Sequence, residues 1–290
     1  MAESNLVHPE DDSDIFVPEP DLQEESVTRE EKYFQILMTA LRACTQYKPR
    51  FGQERKDALT LEHFKQMYGA DPFYHWIGLD SSLMYAAHKA AGGITSIYRQ
   101  LGIGSEWVFR SILQDSLNLT KEEASWSYQI SDGSKSRILT LDGRIQFDHL
   151  RDSATRERVE QWANEVASKL LLSEEMRGQI RGVVFEVRQG YKSKDSKRQN
   201  ADISNAVNAY THLYIPVLLL FSTQIDQSLA KRYTLAKWLL LHGTTFGESI
   251  SSTYVFCKEV LGYDLAGFFE SYSQQLRTEF EAIVATLLEA

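Results

Sequence analysis

Two charged side chains stand within an apolar segment near the middle of this chain. Glu186 and Arg188 belong to the sequence Val-Val-Phe-Glu-Val-Arg, in which residues alternate at the period of a β-strand. Side chains two residues apart leave the same face of a strand, so a carboxylate and a guanidinium are expected side by side. A carboxylate binds Mg²⁺, which prefers oxygen ligands, and a guanidinium stabilises negative charge on a phosphoryl group. This pair therefore predicts metal-assisted attack of water on a phosphodiester.

A cluster of cations follows this strand. The helix predicted next begins at Asp195 or Ser196, so its N-terminus lies among them. Cations and a helix N-terminus together form a phosphate site, because the free N–H groups and the helix dipole both attract negative charge. We therefore expect phosphate groups to be held by Lys192, Lys194, Lys197, Arg198 and Gln199.

A strand, a helix and a second strand must position these groups. Residues 183–187 show the alternation of a strand, and the helix after it is predicted to run to about Tyr210. Residues 217–221 are a continuous apolar run, which is typical of a fully buried parallel strand. Together the three elements predict two parallel strands joined by a crossover helix. The sequence therefore predicts an α/β (mixed α+β) core around residues 181–222.

Two acids lie upstream of this strand, in a segment with the pattern of a hairpin. Residues 134–148 alternate around Asp142-Gly143, which predicts a β-hairpin with a two-residue turn. Asp142 then lies in the turn, where an Asp-Gly pair has a purely structural explanation. Asp148 would end the second strand of that hairpin.

This arrangement resembles the core of the PD-(D/E)xK nucleases, the superfamily that contains most type II restriction endonucleases. Glu186-Val187-Arg188 matches the (D/E)-x-K motif except that arginine replaces lysine. The resemblance covers about residues 135–222. It implies that an upstream acid, Asp142 or Asp148, shares the Mg²⁺ ion with Glu186. Because a guanidinium stays protonated, Arg188 cannot serve as a general base and its role would be electrostatic. Lys192 is the alternative source of the ammonium group.

The resemblance implies a fold, a reaction and an assembly. The fold would be a restriction-endonuclease-like central mixed sheet flanked by helices. The reaction would be Mg²⁺-dependent hydrolysis of double-stranded DNA by a metal-activated water. A homodimer is also implied, because palindromic DNA sites favour two-fold symmetric proteins.

The whole chain is predicted to have four parts. Residues 1–27 are an acidic tail without periodicity, which we expect to be disordered. Residues 28–133 are a helical region, in which one helix is predicted to stop at Gly92-Gly93 and another to begin at Thr120, in capping-box spacing with Glu123. Residues 134–225 are the nuclease-like core. Residues 226–290 are C-terminal helices packed on that core, the first of them predicted over residues 225–241.

The net charge of −9 is unevenly distributed along the chain. Residues 1–31 contain eleven Asp and Glu against one basic residue, Arg29, so the rest contains 29 acidic and 30 basic residues. The near-neutral remainder neither requires nor excludes a polyanionic partner. No apolar run in the sequence reaches the length of a membrane span, so we expect a cytoplasmic protein that does not associate with a membrane. No Walker-type loop is present in the sequence, so we expect no nucleotide cofactor.

A second segment offers a different function. Residues 94–113 resemble a helix-turn-helix, with the turn near Gly102 and Ile103, although two ordinary packed helices joined by Gly102-Ile103-Gly104 are the alternative. If these residues read DNA, the protein would be a non-catalytic DNA-binding protein. A third interpretation is an interaction protein in which the Glu186 strand is purely structural.

Overall fold

The chain folds into α-helices and two small β-sheets, which confirms the predicted mixed α+β class. The computed structural model describes residues 17–20, 28–47, 60–132, 135–190 and 196–288. Only the backbone is described for residues 129–132, 135–137, 139 and 196–203. The predicted disordered tail, residues 1–27, lies outside the described residues except at 17–20.

The bounds of the regular elements are as follows. The helices are α1 (Arg29–Arg42), α2 (Leu61–Gly69), α3 (Pro72–Trp76), α4 (Ser82–Leu117), α5 (Lys121–Ala124), α6 (Ser153–Lys169), α7 (Glu174–Arg177), α8 (Ser196–Thr211), α9 (Gln227–Leu235), α10 (Thr253–Phe256) and α11 (Leu265–Leu288). The strands are β1 (Trp126–Asp132), β2 (Lys135–Leu141), β3 (Gly143–Gln146), β4 (Gly182–Arg188), β5 (Tyr214–Leu220) and β6 (Leu239–Leu241). No described helix is both long and apolar enough to cross a bilayer.

The chain divides into two compact units. One consists of Met1–Glu25, Gln35–Leu101 and Gln274–Ala290, and the other of Ser26–Phe34 and Gly102–Ser273. Both sheets belong to the second unit, which also contains every described residue of the predicted nuclease-like core.

The larger sheet has the strand order β3-β4-β5-β6. β3 runs antiparallel to β4, whereas β4, β5 and β6 are parallel. Pro216 has no backbone N–H, and β5 tolerates it because pairing with β6 begins only at Val217↔Leu239. The carboxyl ends of β4, β5 and β6 lie along one edge of the sheet, and the first residue of β3 lies at the same edge because β3 is antiparallel.

Both faces of this sheet are covered. On one face Phe185 packs against Phe109 of α4, with ring centroids 5.0 Å apart, and against Phe256 of α10 at 5.7 Å. On the other face Val184 and Leu218 belong to a buried cluster. Its other members include Trp126, Tyr128, Ala206, Ala209, Leu229 and Tyr233. Burial on both faces explains why β4 and β5 are almost continuously apolar.

Hydroxyl groups tie the carboxyl ends of β5 and β6 to α10. The fully buried Thr253 donates its hydroxyl to the carbonyl oxygen of Leu220 at 2.7 Å and lies 3.2 Å from that of Leu241. The Tyr254 hydroxyl donates to the carbonyl oxygen of Phe221 at 2.9 Å. The polar backbone groups at this edge are therefore satisfied from within the protein.

The predicted strand, helix and parallel strand are confirmed as β4, α8 and β5. Ala206 and Ala209 of α8 face the core as predicted. The predicted start of α5 is also confirmed, because Thr120 and Glu123 form a reciprocal capping box.

Both interpretations of residues 94–113 are wrong, the helix-turn-helix and the two packed helices joined by Gly102-Ile103-Gly104. These residues lie within α4, a single helix of 36 residues. Gly102 costs helix stability, but the buried face formed by Phe109 and its neighbours outweighs that cost. Gly92, predicted as part of a helix stop, makes room for a neighbour: a β-carbon there would lie 1.7 Å from the hydroxyl oxygen of Tyr47.

The predicted hairpin around Asp142-Gly143 is also wrong. β2 pairs with β1, and β3 pairs with β4, so the chain passes from one sheet to the other at Asp142. Gly143 is needed for packing, since a β-carbon there would lie 3.0 Å from the side chain of Leu113. β1 moreover lies within the region predicted to be helical, residues 28–133.

The predicted all-helical C-terminal region, residues 226–290, contains the strand β6. The helix predicted over residues 225–241 ends as α9 at Leu235, and Lys237 takes a left-handed conformation with φ of 61°. That turn redirects the chain, so that Leu239–Leu241 adds to the edge of β5.

Candidate active site at the end of the central strand

Glu186 and Arg188 lie side by side at the carboxyl end of β4, as the strand spacing predicts. Arg188 Nη2 is ion-paired with Glu186 Oε1, and the side chains are only 13% and 8% exposed. Arg188 Nη1 also donates to the carbonyl oxygen of Val187 at 3.3 Å. Burial of two charges is costly unless each neutralises the other, and this pairing meets that condition.

Asp142 is hydrogen-bonded to β4 on both sides of Glu186. The β3–β4 pairing begins with Gly143 opposite Phe185, and Asp142 comes directly before that pair. The Asp142 backbone N–H donates to the carbonyl oxygen of Phe185 at 2.9 Å. The Val187 N–H donates to Asp142 Oδ2 at 2.7 Å, and this N–H belongs to the peptide that joins Val187 to Glu186. The structure thus brings the first predicted acid to the predicted strand.

Asp148, the other predicted acid, does not join this site. It lies in a 3₁₀ helix, Phe147–His149, beyond the end of β3 where Gln146 pairs with Gly182. Glu186 is four residues further along β4, or about 13 Å at the rise of a strand. Asp148 is therefore ruled out as a metal ligand shared with Glu186, because the antiparallel register sends the two residues to opposite ends of β4.

Three polar residues that the sequence analysis did not identify lie around this site. The Tyr128 hydroxyl of β1 donates to Asn205 Oδ1 of α8, and Asn208 Nδ2 lies 3.5 Å from the same hydroxyl. Burial raises the pKa of Tyr128 to about 12; the hydrogen bond with Asn208 opposes this shift and the nearby Glu186 carboxylate adds to it. Tyr128 therefore stays protonated at neutral pH beside Glu186.

A second guanidinium holds the backbone of Asp142. Arg110 Nε of α4 donates to the Asp142 carbonyl oxygen at 3.1 Å. Nothing local in the sequence connects Arg110 with β3. The polar patch on the inner face of α8 could have been predicted from Asn205 and Asn208, which are three residues apart and so share one face of a helix.

The donor set at this edge fits Mg²⁺. Within the described ranges, no three His, Cys, Asp or Glu side chains come together as a metal site. The Asp142 carboxylate is bonded to the residue after Glu186, and Mg²⁺ is commonly held by one or two carboxylates together with water and substrate phosphates. One oxygen of Asp142 is already used by the Val187 N–H, which orients the carboxylate as outer hydrogen bonds do for metal ligands.

The predicted DNA-binding residues are only partly described. Lys192 and Lys194 lie outside the described residues. Lys197, Arg198 and Gln199 lie in the first turns of α8, where only the backbone is described. α8 is the next regular element after β4, whose carboxyl end carries Glu186.

Replacing Asp142 should separate its hydrogen bond from its charge. Asp142→Ala leaves the partly buried Val187 N–H without an acceptor, so we expect the free energy of unfolding to fall by about 1–3 kcal/mol. Asp142→Asn keeps an oxygen acceptor and should remain within about 1 kcal/mol of the wild type. Urea unfolding followed by circular dichroism measures both values. Equal stability of the two variants would show that this hydrogen bond does not position Asp142.

The site therefore consists of Glu186 and of Asp142, which is bonded to the residues on either side of Glu186, with Arg188 against Glu186 and Arg110 against the backbone of Asp142. Its groups come from α4, β3 and β4, with Tyr128 and α8 beside them. No protein-family model, curated protein or solved structure matches this chain.

Proposed function

We propose that this protein is a Mg²⁺-dependent endonuclease of double-stranded DNA, with a fold and site of the PD-(D/E)xK type. The observation that carries the proposal is the hydrogen bonding of Asp142 to β4 on both sides of Glu186, with Arg188 ion-paired to Glu186. The nuclease interpretation requires an upstream acid to come within reach of the Glu-x-Arg strand. The antiparallel β3 brings one there.

The order of elements also supports the proposal. A strand with the upstream acid lies antiparallel to the motif strand, which continues through a helix into a buried parallel strand. These are β3, β4, α8 and β5. The same order is what the resemblance to restriction endonucleases implies for their central mixed sheet.

The residues of the site have separate tasks in hydrolysis. Asp142 and Glu186 would hold Mg²⁺, which supplies charge neutralisation at the phosphoryl oxygens and a lower pKa for the attacking water. Arg188 stabilises the negative charge that accumulates on those oxygens as water attacks phosphorus. Hydrolysis breaks one P–O bond, leaving a phosphate on one strand end and a hydroxyl on the other.

Arg188 is the only motif cation whose side chain is described, and it already contacts Glu186. If Glu186 held Mg²⁺, its carboxylate would no longer be reserved for Arg188, and the donors of Arg188 would be available to the scissile phosphate. Lys192 stays the alternative for the lysine of the motif.

The DNA backbone beyond the scissile phosphate would contact the segment that links β4 to α8 and the first turns of α8. Its side chains are Lys192, Lys194, Lys197, Arg198 and Gln199. Positive side chains and the free N–H groups of a helix N-terminus both favour phosphate. Such contacts position the duplex and carry no sequence information by themselves.

The decisive experiment incubates the purified protein with long DNA of mixed sequence in the presence of Mg²⁺. We expect discrete fragments on a gel, and no cleavage when EDTA removes the metal. Binding without Mg²⁺, measured at rising salt, should weaken steeply as phosphate contacts are screened. Salt-dependent binding without cleavage would favour a non-catalytic DNA-binding protein. Absence of both would favour an interaction protein with a purely structural β4.

A further inference from the structure

An apolar face of α3 is turned toward solvent. Phe73, Trp76 and Ile77 are spaced i, i+3 and i+4, so they share one face of this short helix and its C-terminal cap. They are 60%, 79% and 55% exposed. Such a stripe is normally the part of a helix that is buried against another element.

Two further exposed apolar side chains lie close to this stripe in the chain. Tyr74 is 38% exposed, and Leu83 in the first turn of α4 is 80% exposed. We call these five residues (Phe73, Tyr74, Trp76, Ile77 and Leu83) the aromatic face.

Ring contacts anchor the aromatic face to the core of its own unit. The Tyr74 ring lies 6.2 Å from that of Phe73 and 5.1 Å from that of Tyr68. Tyr68 in turn lies 4.3 Å from Phe64, which is completely buried. The Asp71 carboxylate caps α3 by accepting the Phe73 and Tyr74 N–H groups. The exposed rings therefore extend from a packed core.

The size of the aromatic face suits a protein interface. Phe, Tyr and Trp side chains can each bury about 150–250 Å², so the exposed fractions of Phe73, Tyr74 and Trp76 amount to roughly 300–400 Å². Ile77 and Leu83 enlarge it to the upper end of what monomeric proteins expose in one patch. Two such surfaces in contact bury on the order of 1,000 Å², which is the lower bound for a specific protein interface.

The charges at the rim distinguish between kinds of partner. Asp71 and Asp80 lie beside the aromatic face, and His75 Nδ1 contacts Asp80 Oδ2 at 2.7 Å. The hydrogen bond from His75 and the nearby charge of Lys65 lower the pKa of Asp80. A rim with two carboxylates, one lysine and one histidine does not attract a polyanion or an anionic bilayer. A rim of both signs can meet its own copy across a two-fold axis, where each charge faces a different residue of the partner.

We propose that the aromatic face is the surface through which two copies of this chain associate. Trp76 and Phe73 would be the anchors of that interface, because large aromatic side chains carry most of the binding energy in such patches. The proposal does not depend on the nuclease function, since none of its residues belongs to the site on β4.

Sedimentation velocity of the full chain over a series of concentrations tests the proposal. We expect the wild type to sediment as a dimer that dissociates on dilution. The double variant Phe73→Ser/Trp76→Ser should raise the dissociation constant by about thirtyfold or more. Leu235→Ser is the matched control, because Leu235 is 74% exposed on α9, in the other unit, and should leave association unchanged.

A second variant tests the same interface in case the Phe73→Ser/Trp76→Ser chain does not fold. Leu83→Glu puts a carboxylate in the first turn of α4, where it favours the helix dipole, so the chain should keep its thermal unfolding midpoint. The same change brings two carboxylates together across a two-fold interface and should weaken the dimer as strongly. A wild type that is monomeric at every concentration would overturn the proposal. So would a folded Leu83→Glu chain with wild-type affinity.

Discussion

Replacing Glu186 by glutamine is expected to reduce Mg²⁺-dependent DNA cleavage by on the order of a thousandfold, because the site loses the charge of one of its two metal-binding carboxylates. The amide keeps an oxygen that can accept a hydrogen bond from Arg188, so the fold should be preserved. Initial cleavage rates of a short duplex, measured at saturating enzyme, report the effect. DNA affinity measured without metal should change by less than about threefold, because phosphate contacts dominate that affinity.

Glu165→Gln is the matched control for this variant. Glu165 is exposed on α6, and its replacement removes the same charge from the chain without touching β4. We expect wild-type cleavage from the control. Wild-type cleavage from Glu186→Gln, prepared in the same way, would refute the assignment of Glu186 and point to a contaminating nuclease or a different site.

Truncating Glu186 to alanine should instead lower the free energy of unfolding by a large amount. Glu186→Ala leaves the Arg188 guanidinium buried without its carboxylate, and breaking a buried ion pair in this way costs about 3–5 kcal/mol. The double variant Glu186→Leu/Arg188→Met replaces the pair by apolar side chains and should lie within about 1 kcal/mol of the wild type. Denaturant unfolding of the wild type, both single variants and the double variant gives the coupling energy of the pair.

The two experiments together separate structure from catalysis. If the Glu186–Arg188 ion pair serves stability alone, the wild type should not cleave DNA and Glu186→Gln should still fold. If Glu186 holds the metal, the double variant should be stable and inactive. A single Glu186→Ala variant with wild-type stability would contradict the buried pairing of Glu186 with Arg188.

The central part of the fold could be predicted from the sequence because its signals are local. β4 is an apolar run that carries Glu186 and Arg188 at strand spacing, β5 is a continuous apolar run, and a capping residue precedes several of the helices between and around them. Thr120 before α5 is an example, since its hydroxyl accepts the Glu123 N–H while the Glu123 carboxylate accepts the Thr120 N–H. Such patterns depend on neighbours within four residues and need no knowledge of tertiary contacts.

The errors occurred where packing reverses a local preference. Gly92 and Gly93 predict a helix stop, but α4 passes through them because Tyr47 occupies the space left by the missing side chain of Gly92. Asp142-Gly143 predicts a tight turn, but both residues pair along β4. A glycine needed for close approach and a glycine needed for a turn look the same in a sequence.

The candidate site was predictable only in part for the same reason. Glu186 and Arg188 follow from the strand period, and Asp142 was one of two candidates that the register of β3 now separates. Tyr128, Asn205 and Arg110 reach the site from elements far away in the chain. No spacing rule connects them with β4.

The hydroxyl of Thr253 has a consequence for how the protein opens. It lies within hydrogen-bonding distance of the last carbonyl oxygens of two neighbouring strands, Leu220 of β5 and Leu241 of β6. Fraying of either strand end therefore requires Thr253 to leave its buried position. That movement also breaks the contact of Thr253 with the end of the other strand. Amide hydrogens at these ends should exchange with solvent as one cooperative group, with a free energy of opening near that of global unfolding. The edge that carries Glu186 is thus bordered by a part of the sheet that opens as a unit with the core.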